Sequence, residues 1–413
     1  MTINQWKLRQ LDVNNAFLNG HLDETVFIEQ PPGFEEPKQP THVCKLNRAL
    51  YGLKQAPRAS FQRLSTFLIV LGFQNSRADP SLFIYNHHGV LIYLHVYADD
   101  IVVTGNNEKF INMLTSRLHK EFKIKDLGLL NFFLGLEVTH TSSGLFLNQS
   151  KHAYDILSRA GLLDSKSVST PLTSKDAFTT QGQPFHDPTL YRSLVGALQY
   201  LTITRLDLSY AVNQASQFLQ QPTTTHFQLV KRIPRYVKGT LSQGLTFDRP
   251  PNTVLLGFSD ADWARCLDTR RSTYGYCIYL GGNLVSWSAK KQPTVSHSSC
   301  ESEYRAMANT AAEIIWLTNL LSELHALPQT RSTLLCDNKS ALFLSQNPIS
   351  HKRAKHINID YHFVHELVTS GQLDTKFIST DQQVADIFTK SLPQPLFDKF
   401  RSMLRVGPPP SLH

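Results

Sequence analysis

The sequence is poor in cysteine and has no long apolar run. Its cysteines number five, at Cys44, Cys266, Cys277, Cys300 and Cys336. The absence of a Cys-x-x-Cys pair excludes a zinc ribbon, and the odd number argues against a disulfide scaffold and a secreted protein. The most apolar stretch, residues 90–98, is too short to cross a bilayer and contains His95. Because the start of the chain also lacks the apolar core of a signal peptide, we expect an intracellular protein with no membrane contact.

Neither charge sign dominates the chain, although cations are in excess. Among its 413 residues, Lys and Arg number 41 and Asp and Glu number 33, which gives a formal net charge of +8. This mild excess favours a polyanionic partner. Apolar residues make up 41% and charged residues 18%, a globular composition that excludes disorder of the whole chain. At ~100–200 residues per domain, the length predicts two or three domains.

Turn and linker signals divide the sequence into three blocks. The first, residues 1–141, mixes short strands with a helix over residues 57–71, which begins at a proline and carries one apolar stripe. The apolar, β-branched runs 91–97 and 101–104 predict a β-hairpin. The second block, residues 142–248, is predicted to be mostly helical and to contain a surface loop rich in Thr, Ser and Pro.

The third block follows a proline-containing linker at residues 249–252 and has an α/β pattern. Three strands are predicted first, and helices then alternate with strands. The predicted elements are strands 254–259, 273–280 and 284–288, a long helix 300–324, a strand 332–336, a helix, a strand 373–378 and a last helix 382–391. The residues after Val406 are predicted to be frayed.

An acidic pair, Asp99 and Asp100, lies at the tip of the predicted hairpin. Neighbouring strand residues point to opposite faces, so a tight turn is needed to aim both carboxylates at one place. Two interpretations are open for such a pair. It is either a solvated acidic turn or part of a divalent-ion site, in which the metal offsets the repulsion between the carboxylates. A third carboxylate, Asp12, lies upstream and favours the ion site.

A second set of carboxylates lies in the third block. They are Asp260 and Asp262 at the end of its first strand, Glu301 and Glu303 at the start of its long helix, Asp337 after its fourth strand and Asp386 at the start of its last helix. Side chains at the strand ends and helix starts of an α/β layer converge on one edge. Carboxylates gathered there can hold two Mg²⁺ ions that activate water against a phosphodiester.

Several motifs resemble one known family. They are Leu-Asp-Val-Asn-Asn-Ala-Phe at 11–17, Glu-Gln-Pro-Pro-Gly-Phe at 29–34, Ala-Leu-Tyr-Gly-Leu-Lys-Gln-Ala-Pro-Arg-Ala at 49–59, and the segment 97–107 that begins Tyr-Ala-Asp-Asp. Further matching segments are 127–138, 169–172, 191–200 and 236–240. Over nearly its whole length the chain is similar to the Pol polyprotein of copia-type (pseudoviral) LTR retrotransposons, across reverse transcriptase and the ribonuclease H that follows it.

The resemblance implies a fold class and its domains. Residues 1–141 are expected to form an α+β reverse transcriptase palm with partial fingers, and residues 142–248 a helical thumb or connection. Residues 253–395 are expected to form an α/β ribonuclease H-like domain, followed by a C-terminal tail at 396–413. Only 11 residues precede Asp12. We therefore expect most of the fingers to be missing and the sequence to be N-terminally truncated relative to the family.

The resemblance also implies two sets of catalytic, metal-binding carboxylates. In the polymerase they are Asp12, Asp99 and Asp100; in the ribonuclease, which has the order Asp, Glu, Asp, Asp, they are Asp260, Glu303, Asp337 and Asp386. Each set is implied to hold two Mg²⁺ ions, with Mn²⁺ as a substitute. Glu301 follows Ser298 at capping-box spacing, so it is interpreted as a helix cap. Asp262 is a secondary candidate, because it alternates with Asp260 on one strand face.

Four further residues near the polymerase carboxylates receive roles from the resemblance. Phe17 is implied to lie under the nucleotide sugar and to select deoxynucleotides; the alternative, from the sequence alone, is an aromatic core residue at a strand end. Lys54, Gln55 and Arg58 are implied to contact template and nucleotide. For the two cations, a solvated basic face is the alternative.

The implied enzyme is an RNA-directed DNA polymerase with ribonuclease H activity. Its expected partners are an RNA template, a DNA primer, the RNA–DNA hybrid and deoxynucleoside triphosphates, and its expected location is cytoplasmic, in a virus-like particle, nuclear or both. The densest basic cluster consists of Lys352, Arg353 and Lys355 between two histidines. It is predicted to contact the hybrid backbone, with a solubilising loop as the alternative.

The second hypothesis is a catalytically silent transposon remnant that retains nucleic-acid binding. Pro234 lies inside a predicted helix, where an interior proline costs ~3 kcal/mol. Ser60, Leu206, Arg265 and Leu267 likewise stand where the family usually has Trp, Pro, Gly and Pro. Every implied catalytic carboxylate is nevertheless present. We therefore favour the enzyme, and expect ribonuclease H activity to survive such changes better than polymerase activity.

Overall fold

The computed structural model describes residues 6–173, 178–249, 252–347 and 358–410. The chain divides into two compact units, Ile3–Leu130 and Asn131–His413. The division into domains at residues 1–141, 142–248 and 253–395 stays a prediction. In the part of the chain that is described, no helix is long and apolar enough to cross a membrane.

The first unit contains one large sheet and two long helices. Its elements are β1 Arg9–Val13, β2 Phe27–Glu29, β3 Val43–Lys45, α1 Ala56–Val70, β4 Gln74–Asn75, β5 Leu82–His87, β6 Val90–Tyr97, β7 Asp100–Gly105, α2 Glu108–Phe122 and β8 Ile124–Leu129. Six strands form an antiparallel sheet in the order β4-β5-β6-β7-β1-β8, and β2 pairs with β3 separately.

Both predicted elements of the first unit form. The hairpin consists of β6 and β7, which pair from Ile92 opposite Gly105 to Tyr97 opposite Asp100. The helix α1 carries its proline in the first turn, where the missing N–H costs nothing, and it buries Leu64 and Leu68. These two residues pack with the apolar face of α2 and the inner face of the sheet in one hydrophobic core. The core fixes the edge of β1 and β7 on which Asp12 and Asp100 lie.

The second unit begins with a small sheet and a group of helices. These elements are β9 Phe132–Phe133, β10 Leu136–His140, β11 Gly144–Asn148, α3 Ser150–Arg159, α4 Pro188–Leu201, α5 Ser209–Ser216, α6 Thr224–Lys238 and β12 Gly244–Asp248. Pro234 is buried inside α6 and does not end it. Leu206 is fully buried in the core around these helices. Two of the sequence changes that suggest decay are thus accommodated by the packing.

The rest of the second unit has the predicted α/β order. Its elements are β13 Leu255–Ala261, β14 Thr273–Leu280, β15 Asn283–Lys291, α7 Ser299–Glu323, β16 Ser332–Cys336, α8 Lys339–Gln346, α9 Asn358–Thr369, β17 Leu373–Phe377, α10 Gln394–Met403 and β18 Val406–Gly407. The sheet order is β15-β14-β13-β16-β17, with β13, β16 and β17 parallel to one another and β14 antiparallel to both of its neighbours. Long α7 packs on this sheet and buries Met307, Ala311 and Ile314.

The last helix predicted from the sequence, 382–391, is wrong in its type. Two short 3-10 helices, Thr380–Gln382 and Val384–Phe388, stand there instead. The break lies at Gln383, whose backbone has φ −74° and ψ 88° and whose buried side chain donates a hydrogen bond to the Ser259 carbonyl, 2.9 Å away. This tie to the end of β13 prevents a continuous α-helix and brings Asp386 close to that strand.

The segment predicted as a C-terminal tail contains ordered elements. Helix α10 buries Phe397 and Phe400, and Val406 of β18 pairs with Leu245 of β12. Strand β18 thereby becomes the edge of the five-stranded sheet β18-β12-β11-β10-β9. The apolar residues of the segment, rather than its final prolines, decide its conformation.

Two candidate carboxylate sites

The first site lies where β1 runs beside the β6–β7 hairpin. Asp12 is directly opposite Asp100 in the antiparallel register, and the Val13 N–H donates to the Asp99 carbonyl, 2.8 Å away. The turn itself is Ala98 and Asp99, with Ala98 at φ 53° in the left-handed region that closes tight hairpin turns. The tight turn needed to bring the acidic pair near Asp12 is therefore present.

The three carboxylates of this site interact through their charges but remain spread apart. Partial burial raises the pKa of Asp12, and the negative charges of Asp100 and Asp99 raise it further, against a lowering by Lys125. The Gln10 amide donates to Asp100 Oδ1 at 3.1 Å. Among the described residues, oxygen atoms of these three side chains do not gather within 4.8 Å of one another. The arrangement is an open one on a partly solvated edge.

Helix α1 supports the turn that follows Asp12. The Ser60 hydroxyl donates to the Ala16 carbonyl at 2.7 Å, and Arg63 donates to the Asn19 carbonyl at 3.0 Å. Gly20 lies so close to α1 that a Cβ added there would be 2.9 Å from the Cβ of Ala59. Ser60, one of the apparent signs of decay, thus has a specific contact in this chain.

Phe17 lies in this supported turn, in the 3-10 helix Ala16–Asn19. Its ring is half-buried and packs against Tyr51, with 5.0 Å between the ring centroids. Lys54 and Arg58 are exposed on either side of the start of α1, and Gln55 is the residue that precedes the helix. The four residues that the resemblance assigns to nucleotide and template are therefore grouped around the N-terminus of α1 and the turn it supports.

The second site lies at one edge of the β15-β14-β13-β16-β17 sheet. Asp260 is near the end of β13, Asp337 follows the parallel strand β16, Glu303 is in the second turn of α7, and Asp386 is in the 3-10 helix Val384–Phe388. Parallel strands end at the same edge, which explains why residues from distant parts of the sequence meet here. Asp260, Glu303 and Asp386 are buried, and Asp337 is half-buried.

The carboxylates of the second site are close enough to share ions. Ligand atoms of Asp260, Asp337 and Asp386 all lie within 4.8 Å of one another, and so do those of Glu303, Cys336 and Asp337. Since Asp337 belongs to both groups, the four carboxylates form one continuous cluster. Clustered carboxylate oxygens are the ligands that Mg²⁺ and Mn²⁺ prefer. The donor set of the cluster therefore fits hard divalent cations.

Two residues that the sequence did not single out join this cluster. The Lys390 ammonium lies 2.8 Å from Asp386 Oδ1 and 3.3 Å from Asp260 Oδ1. The Thr389 hydroxyl donates to Asp260 Oδ2. Lys390 follows Asp386 by four residues, a spacing that would suit an ion pair between these two on a helix, but nothing in the sequence points to its contact with Asp260. For Thr389 the sequence carries no comparable signal.

Burial and mutual repulsion change the acidity of the second site. Burial raises the pKa of Glu303 well above its usual range, and Asp260 and Asp337 raise it further. Burial also raises the pKa of Asp386 to about 7, with a contribution from Asp260 and an opposing one from Lys390. The negative charges of neighbouring carboxylates thus disfavour ionisation of Glu303 and Asp386, and a cation placed in the cluster would relieve that repulsion.

Hydrogen bonds distinguish the neighbouring acidic residues of this site, Glu301 from Glu303 and Asp262 from Asp260. Glu301 accepts a hydrogen bond from the His297 N–H at 2.8 Å and pairs with Arg305 at 2.7 Å, while Ser298 accepts from the Glu301 N–H. Asp262 accepts from the Thr273 N–H at 2.6 Å, and burial raises its pKa to about 7. Glu301 therefore serves the start of α7 and Asp262 the β13–β14 connection, whereas Glu303 and Asp260 belong to the cluster.

Two basic side chains of α6 have protein partners, whereas the predicted contact of the basic cluster with the hybrid stays a prediction. Lys352, Arg353 and Lys355 lie outside the described residues. On α6, Arg235 donates to the Lys166 carbonyl at 2.9 Å, and Lys238 donates to the Ser165 carbonyl at 2.6 Å. These two hydrogen bonds hold the loop that contains Ser165 and Lys166 against α6.

Comparisons with known proteins agree with this architecture. Residues 1–174 match the family described as reverse transcriptase (RNA-dependent DNA polymerase). The chain is 45% identical over 402 residues to the Pol polyprotein from transposon RE1 of Arabidopsis thaliana, covering 97% of this chain and 27% of that protein. It is 37% identical to the Pol polyprotein from transposon TNT 1-94 of Nicotiana tabacum, covering 96% of this chain and 31% of that protein. The chain thus spans about three-tenths of the length of these relatives.

A shorter relative and a solved structure extend the comparison. A putative transposon Ty5-1 protein of Saccharomyces cerevisiae is 33% identical over 308 residues, which are 74% of this chain and 100% of that protein. The solved structure, described as a foamy viral protease-reverse transcriptase in complex with an RNA/DNA hybrid, has a TM-score of 0.51 at 12% identity. It covers 94% of this chain and 45% of that one. At this identity the likeness supports the fold alone.

Proposed function

Because the chain belongs to the copia-type Pol polyproteins of transposons, within the reverse transcriptase family, we propose that it is an RNA-directed DNA polymerase that also has ribonuclease H activity. In this proposal, the first unit copies an RNA template from a DNA primer with deoxynucleoside triphosphates, and the second hydrolyses the RNA of the resulting hybrid. The observation that carries the hydrolytic part is the cluster of Asp260, Glu303, Asp337 and Asp386.

The cluster would act by holding two divalent ions, Mg²⁺ or Mn²⁺, against the RNA backbone. The bound ions supply Lewis acidity toward the attacking water and the scissile phosphate. The chain's own residues fix the ligands. Thr380 donates to Asp337 Oδ2 at 2.9 Å, and Thr389 donates to Asp260 Oδ2. Each bond orients one carboxylate before a substrate binds, which reduces the rearrangement needed for the reaction.

The polymerase part would use the open edge at Asp12, Asp99 and Asp100. These carboxylates would hold a second set of divalent ions, which would supply Lewis acidity for the attack of the primer hydroxyl on the nucleotide. The Gln10 amide would orient Asp100 through their hydrogen bond. Phe17 would exclude a 2′-hydroxyl from the sugar position. The place of Phe17 in the turn that Ser60 of α1 holds supports this role.

Nucleic-acid contacts and cellular location complete the proposal. Lys54 and Arg58 are exposed cations beside the turn that bears Phe17, and they would contact phosphates while Gln55 contacts the template or nucleotide. We also assign Lys352, Arg353 and Lys355 to the hybrid backbone on sequence grounds. The net charge of +8 favours such polyanionic partners. The expected place of action is the cytoplasm, in virus-like particles, the nucleus or both.

A catalytically silent remnant with nucleic-acid binding is the second candidate for the first unit. The observation that favours it is the spread of Asp12, Asp99 and Asp100, whose oxygens do not converge as those of the second site do. Primer extension on a homopolymer template, compared with the Asp99→Asn, Asp100→Asn double variant, separates the two candidates. Incorporation above that variant supports the polymerase, and equal incorporation supports the remnant.

The hydrolytic proposal is tested by cleavage of a labelled RNA–DNA hybrid with Mg²⁺. We expect the Asp260→Asn variant to lose cleavage by at least about a hundredfold, because the cluster that would hold the ions loses one charged ligand. The matched control is Asp374→Asn, which removes a partly exposed carboxylate of β17 that pairs with Arg331. Full activity of the Asp260→Asn variant would refute the assignment.

A further inference from the structure

Lys390 is the one described lysine within 4.0 Å of two buried carboxylates. Its side chain starts just after the 3-10 helix that carries Asp386, and its N–H donates to the Asp386 carbonyl at 2.9 Å. The ammonium then reaches Asp386 in that helix and Asp260 in β13, which are far apart in the sequence. The lysine therefore links the two elements that bear these carboxylates.

The charge of Lys390 has a clear function in the cluster. Asp260, Asp386, Glu303 and Asp337 would otherwise place several like charges in a largely buried volume. Unpaired buried charge is strongly unfavourable, and an opposite charge at hydrogen-bond distance offsets it. An ammonium is a compact cation that can occupy the space between two carboxylates. Lys390 thus does in the folded chain what a divalent ion would do in the same place.

The Lys390 side chain is more exposed to solvent than the two carboxylates that it contacts. The Lys390 side chain is 29% exposed, whereas those of Asp260 and Asp386 are 1% and 5% exposed. An ion that binds both Asp260 and Asp386 must displace the ammonium or share its ligands.

We propose that Lys390 is a displaceable internal counter-cation, which stabilises the carboxylate cluster without metal and competes with divalent ions for it. This proposal rests on the proposed hydrolytic function and adds a regulation of that site. Competition makes the apparent metal affinity lower than the carboxylates alone would give, since binding must also break two ion pairs. Removal of the ammonium should consequently tighten metal binding, which is the opposite of what loss of a purely structural residue would do.

The test measures Mn²⁺ binding to the full chain at pH 8 without nucleic acid, from the paramagnetic resonance signal of the free ion. All proteins carry Asp12→Asn and Asp99→Asn, so that the first site adds no ions. We expect Lys390→Met to bind Mn²⁺ at least about fivefold more tightly than its parent, the size of a typical coupling between sites. Lys390→Arg should restore the parent's affinity, because it keeps the positive charge.

The matched control is Lys291→Met. Lys291 is also half-buried in this unit, but its ammonium contacts Gln217 and Cys266 rather than a carboxylate. This variant should bind Mn²⁺ as its parent does. A second readout is thermal unfolding: Lys390→Met should have a lower Tm than its parent without metal and a larger increase in Tm on addition of Mn²⁺.

Three results would overturn the inference, and one of them would also overturn the proposed hydrolytic function. Equal or weaker Mn²⁺ binding by Lys390→Met, with a folded protein by circular dichroism, refutes the counter-cation role and leaves the hydrolytic function intact. If Lys291→Met tightens Mn²⁺ binding by the same factor, the effect comes from net charge alone, and the counter-cation role of Lys390 is again refuted. If the parent binds no Mn²⁺ at all, both this inference and the proposed metal-dependent hydrolysis fail.

Discussion

The two carboxylate sites of this protein differ in how they are built. Asp12, Asp99 and Asp100 come from one strand and the adjacent hairpin, on an edge where Asp99 is exposed. The second site takes its carboxylates from β13, α7, the end of β16 and a 3-10 helix, and it buries most of them. A site that is formed by local pairing keeps its acids apart in water, whereas one formed by tertiary packing forces them together. The second kind therefore carries the larger electrostatic cost without metal.

The same difference decides how each site responds to a cation. In the second site Lys390 already occupies the space between Asp260 and Asp386. In the first site the opposing charge is Lys125, which lowers the pKa of Asp12 less than burial, Asp100 and Asp99 raise it. Ions bound at the first site would thus gain less from relief of repulsion, and the substrate's own phosphates would contribute more to holding them.

The largest expected effect sharpens the assignment of the second site. Glu303→Gln should reduce hybrid cleavage by about a hundredfold or more, because it removes a charged ligand from the cluster. The matched change Glu301→Gln should leave cleavage within about threefold, since Glu301 contacts His297 and Arg305 instead. Initial rates on a labelled hybrid measure both. Equal losses in the two variants would break the distinction between the ligand and the cap.

The next effect is a pH dependence confined to the buried site. Burial raises the pKa of Asp386 from 3.8 to about 7. Between these two pH values the folded state keeps a proton on Asp386 that the unfolded chain has released. The contribution of Asp386 to the free energy of unfolding without metal is therefore largest below about pH 4. It falls by a few kcal/mol at most, on the order of the pKa difference, as the pH rises to about 7. Denaturant titrations from pH 4.5 to 8 measure the slope.

Asp386→Asn provides the control for this pH dependence. It replaces the titrating carboxyl with a neutral group, so the decline in the free energy of unfolding should be shallower than in the unsubstituted chain. An unchanged slope in the variant would show that other groups cause the decline. A stability that rises through the same interval would contradict the account of the buried cluster.

The smallest effect concerns the turn behind the open site. Gly20→Ala should destabilise the protein by about 1–3 kcal/mol, because the new Cβ would stand 2.9 Å from the Cβ of Ala59 on α1. Gly196→Ala is the matched control: it lies inside α4, its Cβ would meet no atom within 4 Å, and it should stabilise by about 0.5–1 kcal/mol. Chemical denaturation measures both changes. Destabilisation of similar size by both would show that the close approach to α1 is not the cause.

Local sequence signals predicted much of this protein and missed what depends on packing. The hairpin of β6 and β7, the helix α1 and the succession of strands and helices along the α/β region follow from apolar periodicity and turn residues. The type of the last predicted helix does not, because it is set by the bond between Gln383 and the distant Ser259 carbonyl. Periodicity describes neighbours along the chain and contains no information about such a partner.

The candidate sites show the same division between local and tertiary information. Glu301 could be recognised as a cap from its distance to Ser298, and its contacts agree. The contacts of Lys390 with Asp260 and of Thr389 with the same carboxylate depend on β13 lying beside the segment that follows Gln383. The roles of the acidic residues could be proposed from spacing and family resemblance, but the neutralising lysine required the fold.

Of the two carboxylate sites, we expect the buried cluster, rather than the open edge, to bind divalent ions more tightly. The most direct measurement is an anomalous difference map from crystals of the full chain soaked in Mn²⁺ without nucleic acid. We expect manganese density among Asp260, Glu303, Asp337 and Asp386, with the Lys390 ammonium moved away from Asp260. Density at Asp12, Asp99 and Asp100 with none at the cluster would contradict it.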